Sequence, residues 1–189
     1  EACDIEINKL KEPVGKQDQY IASYGGLKVC NINNKGKVKV SNLNIKDKTR
    51  QLLENNLLLF FTGYTRLSST ILKKQKKETK KKKIHTLENL KLIKEIGYQS
   101  KKLIENNDLY EFGKLLDYHW KIKKERADNM TNKKIDNIYK DALNHGAIGG
   151  KLVGAGGGGF LMFYAKNPQS LRRRLLKYKI NEVKFLFDN

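Results

Sequence analysis

Cysteine is nearly absent: Cys3 and Cys30 are the only two in 189 residues. Two thiols are too few for a disulfide scaffold or a cysteine-rich zinc site. Long apolar runs are missing as well. The longest strongly apolar stretch covers residues 57–61, far short of the roughly 20 residues that span a bilayer. Nothing near the start resembles a secretory signal. Acidic residues are few, 20 Asp+Glu against 39 Lys+Arg, for a formal charge of +19. Arginine is also scarce, with six residues, so the excess is lysine. Lysine, asparagine and isoleucine in surplus together point first to an AT-rich coding sequence. A polyanion partner and a basic site for a phosphorylated small molecule are the other readings. What is present suffices for a core. Hydrophobic residues make up 39% of the chain, which excludes wholesale disorder. The length suits one domain, or one domain plus part of another. These bounds predict a soluble protein of the cytoplasmic type.

The chain opens on Glu1, within what reads as the inside of an element, and stops just after an apparent strand at 183–187. A fragment with sequence missing upstream is therefore expected. Residues 1–12 are ambiguous between helix and strand and are broken by Pro13 and Gly15. Residues 19–24 read as a short helix closed by Gly25 and Gly26. Residues 27–32 and 37–40 flank the turn-forming Asn33-Asn34-Lys35-Gly36 and read as a β-hairpin. Residues 57–62 read as a buried strand ending at Gly63. A helix starting near Leu67 runs into the lysine-rich stretch 73–83, which reads as exposed.

Three further helices follow from apolar spacing. The first uses Leu90, Ile93, Ile96, Leu103 and Ile104. The second uses Phe112, Leu115, Leu116, His119 and Ile122, behind a capping-box pattern at Asp108 and Glu111. The third uses Ile135, Ile138, Tyr139, Ala142 and Leu143, with Gly146 as its closing glycine. A strand at 160–164, a helix at 171–178 and a strand at 183–187 complete the pattern. The fold class is α+β. A β-rich segment 1–46 precedes a segment 47–189 with three strands and four or five helices.

Two segments stand out chemically. Residues 149–160 contain seven glycines in twelve positions, a run that loses much backbone entropy on folding. No Gly-Lys-Ser/Thr follows, so it is not a Walker A loop. Its glycines lead from a helix into a strand, the reverse of the dinucleotide fingerprint. A turn packed against another backbone and a neighbour of a phosphate site are both open readings. The second segment is Glu12-Pro13-Val14-Gly15-Lys16-Gln17-Asp18-Gln19-Tyr20-Ile21-Ala22-Ser23-Tyr24-Gly25-Gly26. Glu6 stands twelve positions before Asp18. Two such carboxylates can share one site, one binding a metal and the other handling a proton.

Taken together and in order, these motifs resemble the galactokinase, homoserine kinase, mevalonate kinase and phosphomevalonate kinase (GHMP) superfamily. The segments Gly15-Lys16-Gln17-Asp18-Gln19-Tyr20 and Gly156-Gly157-Gly158-Gly159-Phe160-Leu161 are especially similar to the D-glycero-D-manno-heptose 7-phosphate kinases. Leu59-Phe60-Phe61-Thr62-Gly63-Tyr64-Thr65-Arg66, Ile135-Asp136-Asn137-Ile138-Tyr139 and Phe185-Leu186-Phe187-Asp188 extend the likeness over nearly the whole chain. The resemblance implies residues 1–46 as the end of a GHMP kinase N-terminal domain and 47–189 as its C-terminal domain, an antiparallel sheet packed with helices. It also implies that the Gly/Ser-rich phosphate loop lies upstream of Glu1, since nothing here matches it.

The implied activity is transfer of the γ-phosphoryl group of ATP to the C1 hydroxyl of heptose 7-phosphate, with Mg²⁺ as cofactor. Asp18 matches the catalytic aspartate, which takes or orients the sugar proton. Glu6 matches the magnesium-binding glutamate. Lys16 would balance charge near Asp18 or meet the sugar phosphate. Gly154, Gly156, Gly157 and Gly158 match the third signature, which buttresses the phosphate loop. The implied partners are ATP and a sugar phosphate, with no membrane. A GHMP kinase for another sugar or a small alcohol is the alternative. A basic nucleic-acid module would explain the charge but not the pairing of Asp18 with a remote tetraglycine. His119, His85, His145, Trp120, Cys3 and Cys30 read as packing, boundary or bystander residues.

Overall fold

A computed structural model describes residues 1–12, 14–63, 84–125, 130–154 and 156–187. The expected helix from Leu67 and the lysine-rich stretch 73–83 lie outside these residues.

The ambiguous start is a π-helical turn, Asp4–Lys9. Helix α1 follows (Gln17–Tyr24), ended by Gly25 at φ 62°. Strands β1 (Lys28–Ile32) and β2 (Val38–Asn42) pair antiparallel with Cys30 opposite Val40. The Asn33 side chain closes their turn by accepting the N–H groups of Lys35 and Lys37. Asn side chains mimic a backbone turn in this way. The expected hairpin is therefore present.

Helix α2 (Asp47–Asn56) was not expected. Its sequence is polar apart from Leu52 and Leu53, and one buried leucine, Leu53, anchors it. β3 (Leu57–Phe61) follows directly. The next helices are α3 (Ile84–Glu105), α4 (Leu109–Lys124) and α5 (Lys133–Leu143), close to the three read from apolar spacing. The capping box at the start of α4 is not formed. Asp108 makes no side-chain cap bond, and Glu111 pairs with Lys114 instead. Gly146, at φ 106°, lies two residues beyond the Asn144 that caps α5.

β4 (Ala147–Val153) and β5 (Phe160–Ala165) flank the glycine-rich loop. Helix α6 (Pro168–Leu175) starts with Asn167 accepting the Ser170 N–H. The expected final strand at 183–187 is corrected to β6, Asn181–Glu182. Val183 still donates to the Leu59 carbonyl at 2.7 Å, but the chain then leaves the sheet. Phe185 and Phe187 pack against the cluster around Leu53 and Phe112 instead. Their apolar area is buried by packing rather than by strand pairing.

The main sheet is antiparallel in the order β4-β5-β3-β6. β3 and β4 run parallel with β5 between them, a split β-α-β arrangement. One face carries Leu58, Phe60, Leu152, Leu161 and Phe163, covered by Ile135, Ile138 and Ala142 of α5 and Leu171 and Leu175 of α6. The other face meets Leu53 of α2 and Phe112 and Leu116 of α4. The α+β class is as read. Among the described residues no helix is long and apolar enough to cross a membrane.

Candidate active site

Glu6, Lys16 and Asp18 are brought to one neighbourhood by α1. Gln17 to Tyr24 can coil with Gln19 inward, the one buried residue of the helix. Its amide donates to Glu6 Oε2 at 2.7 Å and so ties the π-helical turn to α1. Asp18, next in sequence, is thereby turned outward and is exposed in the first turn. A carboxylate in a first turn is favoured by the helix dipole. Lys16 caps the helix through its backbone, while its ammonium donates to the Gly36 carbonyl at 2.7 Å. It is held by the hairpin turn rather than by a carboxylate.

The glycine-rich segment divides into two parts. Gly149 and Gly150 belong to β4, not to a loop. A Cβ at Gly149 would lie 2.0 Å from the Gly113 carbonyl of α4, so helix and strand touch backbone to backbone. Gly154 is exposed, whereas Gly156, Gly157 and Gly158 are buried. Gly156 has φ 111°, and a Cβ there would lie 2.8 Å from the Met130 thioether. Gly157 has φ 76° and donates to the Met130 carbonyl at 2.9 Å. At the loop exit, Gly159 O accepts both the N–H and the hydroxyl of Thr62. The packed-turn reading of this run is realised in its contacts with Met130 and with α4.

No hydrogen bond or ion pair of the described residues joins this loop to Glu6, Lys16 or Asp18. Nor do the described residues contain a group of three His, Cys, Asp or Glu side chains suited to a metal. Glu6 fits Mg²⁺ as a single hard ligand, the mode in which phosphates and water complete the coordination.

Spacing missed several residues here. Lys123 is buried and donates to the carbonyls of Leu152 (3.0 Å) and Gly154 (2.5 Å), pinning the loop entry to α4. Its signal was its place on the apolar stripe, one turn after His119 and Trp120. The buried Tyr139 hydroxyl lies 2.8 Å from both the Asp117 carboxylate and the Gly150 carbonyl, and burial pushes its pKa up. Lys151 Nζ lies 3.3 Å from His119 Nδ1. Trp120 is wholly buried, as expected of packing. His145 sits on the Asp141 carbonyl at 2.8 Å.

Residues 100–181 match the family described as GHMP kinases C terminal. This part of the chain is therefore similar to the C-terminal domain of GHMP kinases. The chain is 34% identical over 166 residues to a D-glycero-alpha-D-manno-heptose 7-phosphate kinase of Campylobacter jejuni. The match covers 86% of this chain and 48% of that relative, so the chain spans about half the relative's length. Among solved structures, a putative sugar kinase from Campylobacter jejuni superposes with a TM-score of 0.66 at 26% identity, covering 98% of this chain and 52% of that one. The L. major mevalonate kinase in complex with R-mevalonate gives a TM-score of 0.68 at 20% identity, covering 85% and 46%, and so shares the fold. GHMP kinases are small-molecule phosphotransferases, and the heptose-phosphate members act on sugars.

Proposed function

We propose that this chain is the C-terminal portion of an ATP-dependent kinase that phosphorylates the C1 hydroxyl of D-glycero-D-manno-heptose 7-phosphate. The observation that carries the reading is the outward-facing Asp18, one residue from the Gln19 that tethers Glu6. The 34% identity to a heptose 7-phosphate kinase supports the choice of substrate. In this reading residues 1–46 end the N-terminal domain and 47–189 form the C-terminal domain. The cytoplasm, where ATP is at hand, is the assigned compartment.

Phosphoryl transfer depends on alignment, charge neutralisation and help with one proton. Asp18 accepts the proton of the sugar hydroxyl or orients that hydroxyl. Glu6 would hold Mg²⁺, which would supply neutralisation of phosphate charge. Lys16 would have to leave the Gly36 carbonyl to meet the sugar phosphate. Gly154, Gly156, Gly157 and Gly158 support the phosphate-binding region through packing.

The test compares carboxylate variants in the active enzyme. Asp18→Asn should lower kcat about 10²–10⁴-fold with ATP affinity nearly unchanged. Glu6→Gln should lose activity that rising Mg²⁺ partly restores. Near-normal turnover in the Asp18 variant would remove it from the mechanism. A higher kcat/KM for mevalonate or another sugar would overturn the substrate. Tight, steeply salt-dependent binding of random nucleic acid would favour the basic-module alternative.

A further inference from the structure

The two faces of the main sheet are covered unequally. Leu58, Phe60, Leu152, Leu161 and Phe163 are each at most 3% exposed beneath α5 and α6. On the opposite face Leu59, Phe61, Phe160 and Met162 are only partly buried, and Val153 is 38% exposed. The cover on that face, from α2, α4, Phe185 and Phe187, gathers around Leu57 and Tyr164. Toward the glycine-rich loop the face is half-open and apolar, with the Phe61 and Phe160 rings 5.3 Å apart.

The register sets Lys151 on this face, opposite Met162, which in turn pairs with Leu59. Lys151 lies three residues before Gly154. Among the described residues its neighbours give it no counter-charge. From α4 it meets His119. Lys123 turns to the carbonyls of Leu152 and Gly154. Asp117 turns to Tyr139 and Lys121. β5 and β3 present Met162 and Leu59. Among the described residues no carboxylate pairs with Lys151. Burial pulls its ammonium down to about 8. A largely desolvated cation without an anion is costly, and it marks a candidate functional group when it stands beside an open face.

We propose that Lys151 is an anion-binding residue, its ammonium taking a phosphate group of a ligand that lies on the half-open sheet face beside the glycine-rich loop. The phosphate belongs to the nucleotide or to the phosphorylated sugar. The proposal rests on the kinase reading for the ligand's name, not for the anion.

The test follows the lysine side-chain NMR signals of the full chain, with Lys151 assigned by Lys151→Met. Inorganic phosphate, ATP and heptose 7-phosphate are added separately. The Lys151 amine should titrate near 8 without ligand and move upward with phosphate. Affinity for one of the two organic ligands should fall at least tenfold in Lys151→Met and persist in Lys151→Arg. The exposed Lys91→Met should leave it unchanged. A response to ATP assigns the nucleotide's phosphate; a response to heptose 7-phosphate assigns the sugar's. A Lys151 signal indifferent to all three at millimolar concentration overturns the proposal. So does a Lys151→Met variant that binds ATP and heptose 7-phosphate as the wild type does. If Lys151→Met does not fold, the wild-type signal and Lys151→Arg decide. Absence of kinase turnover in the complete enzyme, with a phosphate-responsive Lys151, would sink the kinase reading and leave this one standing.

Discussion

Asp18 and Lys151 carry opposite charges in opposite settings. Asp18 is exposed at a helix start and costs the fold little. Lys151 is desolvated on a strand, which lowers its pKa from 10.5 to about 8. The sign for stability follows. Between about 8 and 10.5 the unfolded lysine is still protonated while the folded one has released its proton. Stability from this group therefore rises with pH across that window. Below it both states are protonated, and the folded state bears the whole desolvation cost, on the order of 3 kcal/mol at most. Lys151→Met should raise the unfolding temperature at pH 7 and remove the rise above pH 8. Thermal unfolding of both proteins from pH 7 to 10 checks this. A variant less stable at every pH would show that the side chain's packing outweighs its charge.

At the scale of elements, β4 depends on what its residues lack. Gly149 has no Cβ, so the Gly113 carbonyl of α4 can sit where one would be. Gly149→Ala should destabilise by about 3 kcal/mol or more, because backbone must shift on both sides. Gly157→Val should also destabilise, since φ is 76° there and a branched Cβ opposes that conformation. Gly97, inside α3, has open space around its Cβ position and no positive φ. Gly97→Ala should stabilise by about 0.5–1 kcal/mol. Denaturant unfolding of the three variants measures the contrast. Equal effects at Gly97 and Gly149 would refute the close-approach account. The same contact explains why β4 was not legible. A glycine run reads as loop unless the helix lying on it is known. α2 was hidden differently: its charged sequence shows little apolar periodicity, and a tertiary contact through Leu53 holds it.

For the whole molecule, the core is uneven along the chain. Of residues 1–46 described, only Gln19 is buried, while Leu10 and Tyr24 are 64% and 56% exposed. Leu27 packs on the cluster around Leu53, and Asn44 donates to Glu105. The four-stranded sheet, by contrast, is buried on one face and half-covered on the other. Opening free energy tracks such local burial. Amide hydrogen exchange should therefore be slowest in β3 and β5 and much faster in β1 and β2. Comparable protection in the hairpin and the central strands would contradict this distribution.

Sequence by itself determined the α+β class, the hairpin, β3, β5 and the three amphipathic helices. Each rests on local periodicity or turn chemistry, which short stretches carry unaided. It also singled out Glu6, Lys16, Asp18 and the glycine run, because their residue types are unusual at that spacing. Tertiary structure decided what these groups touch. It put the Glu6 carboxylate on Gln19, the Lys16 ammonium on Gly36 and the buried glycines on Met130. It also ended the last strand at Glu182, letting Phe185 and Phe187 pack on another cluster. Lys151 shows the division most clearly. Its charge is written in the sequence, but its desolvation is the work of the assembled fold, with His119 brought against it from α4. Burial of a charged side chain is a property of the assembled chain, and no local pattern at Lys151 encodes it.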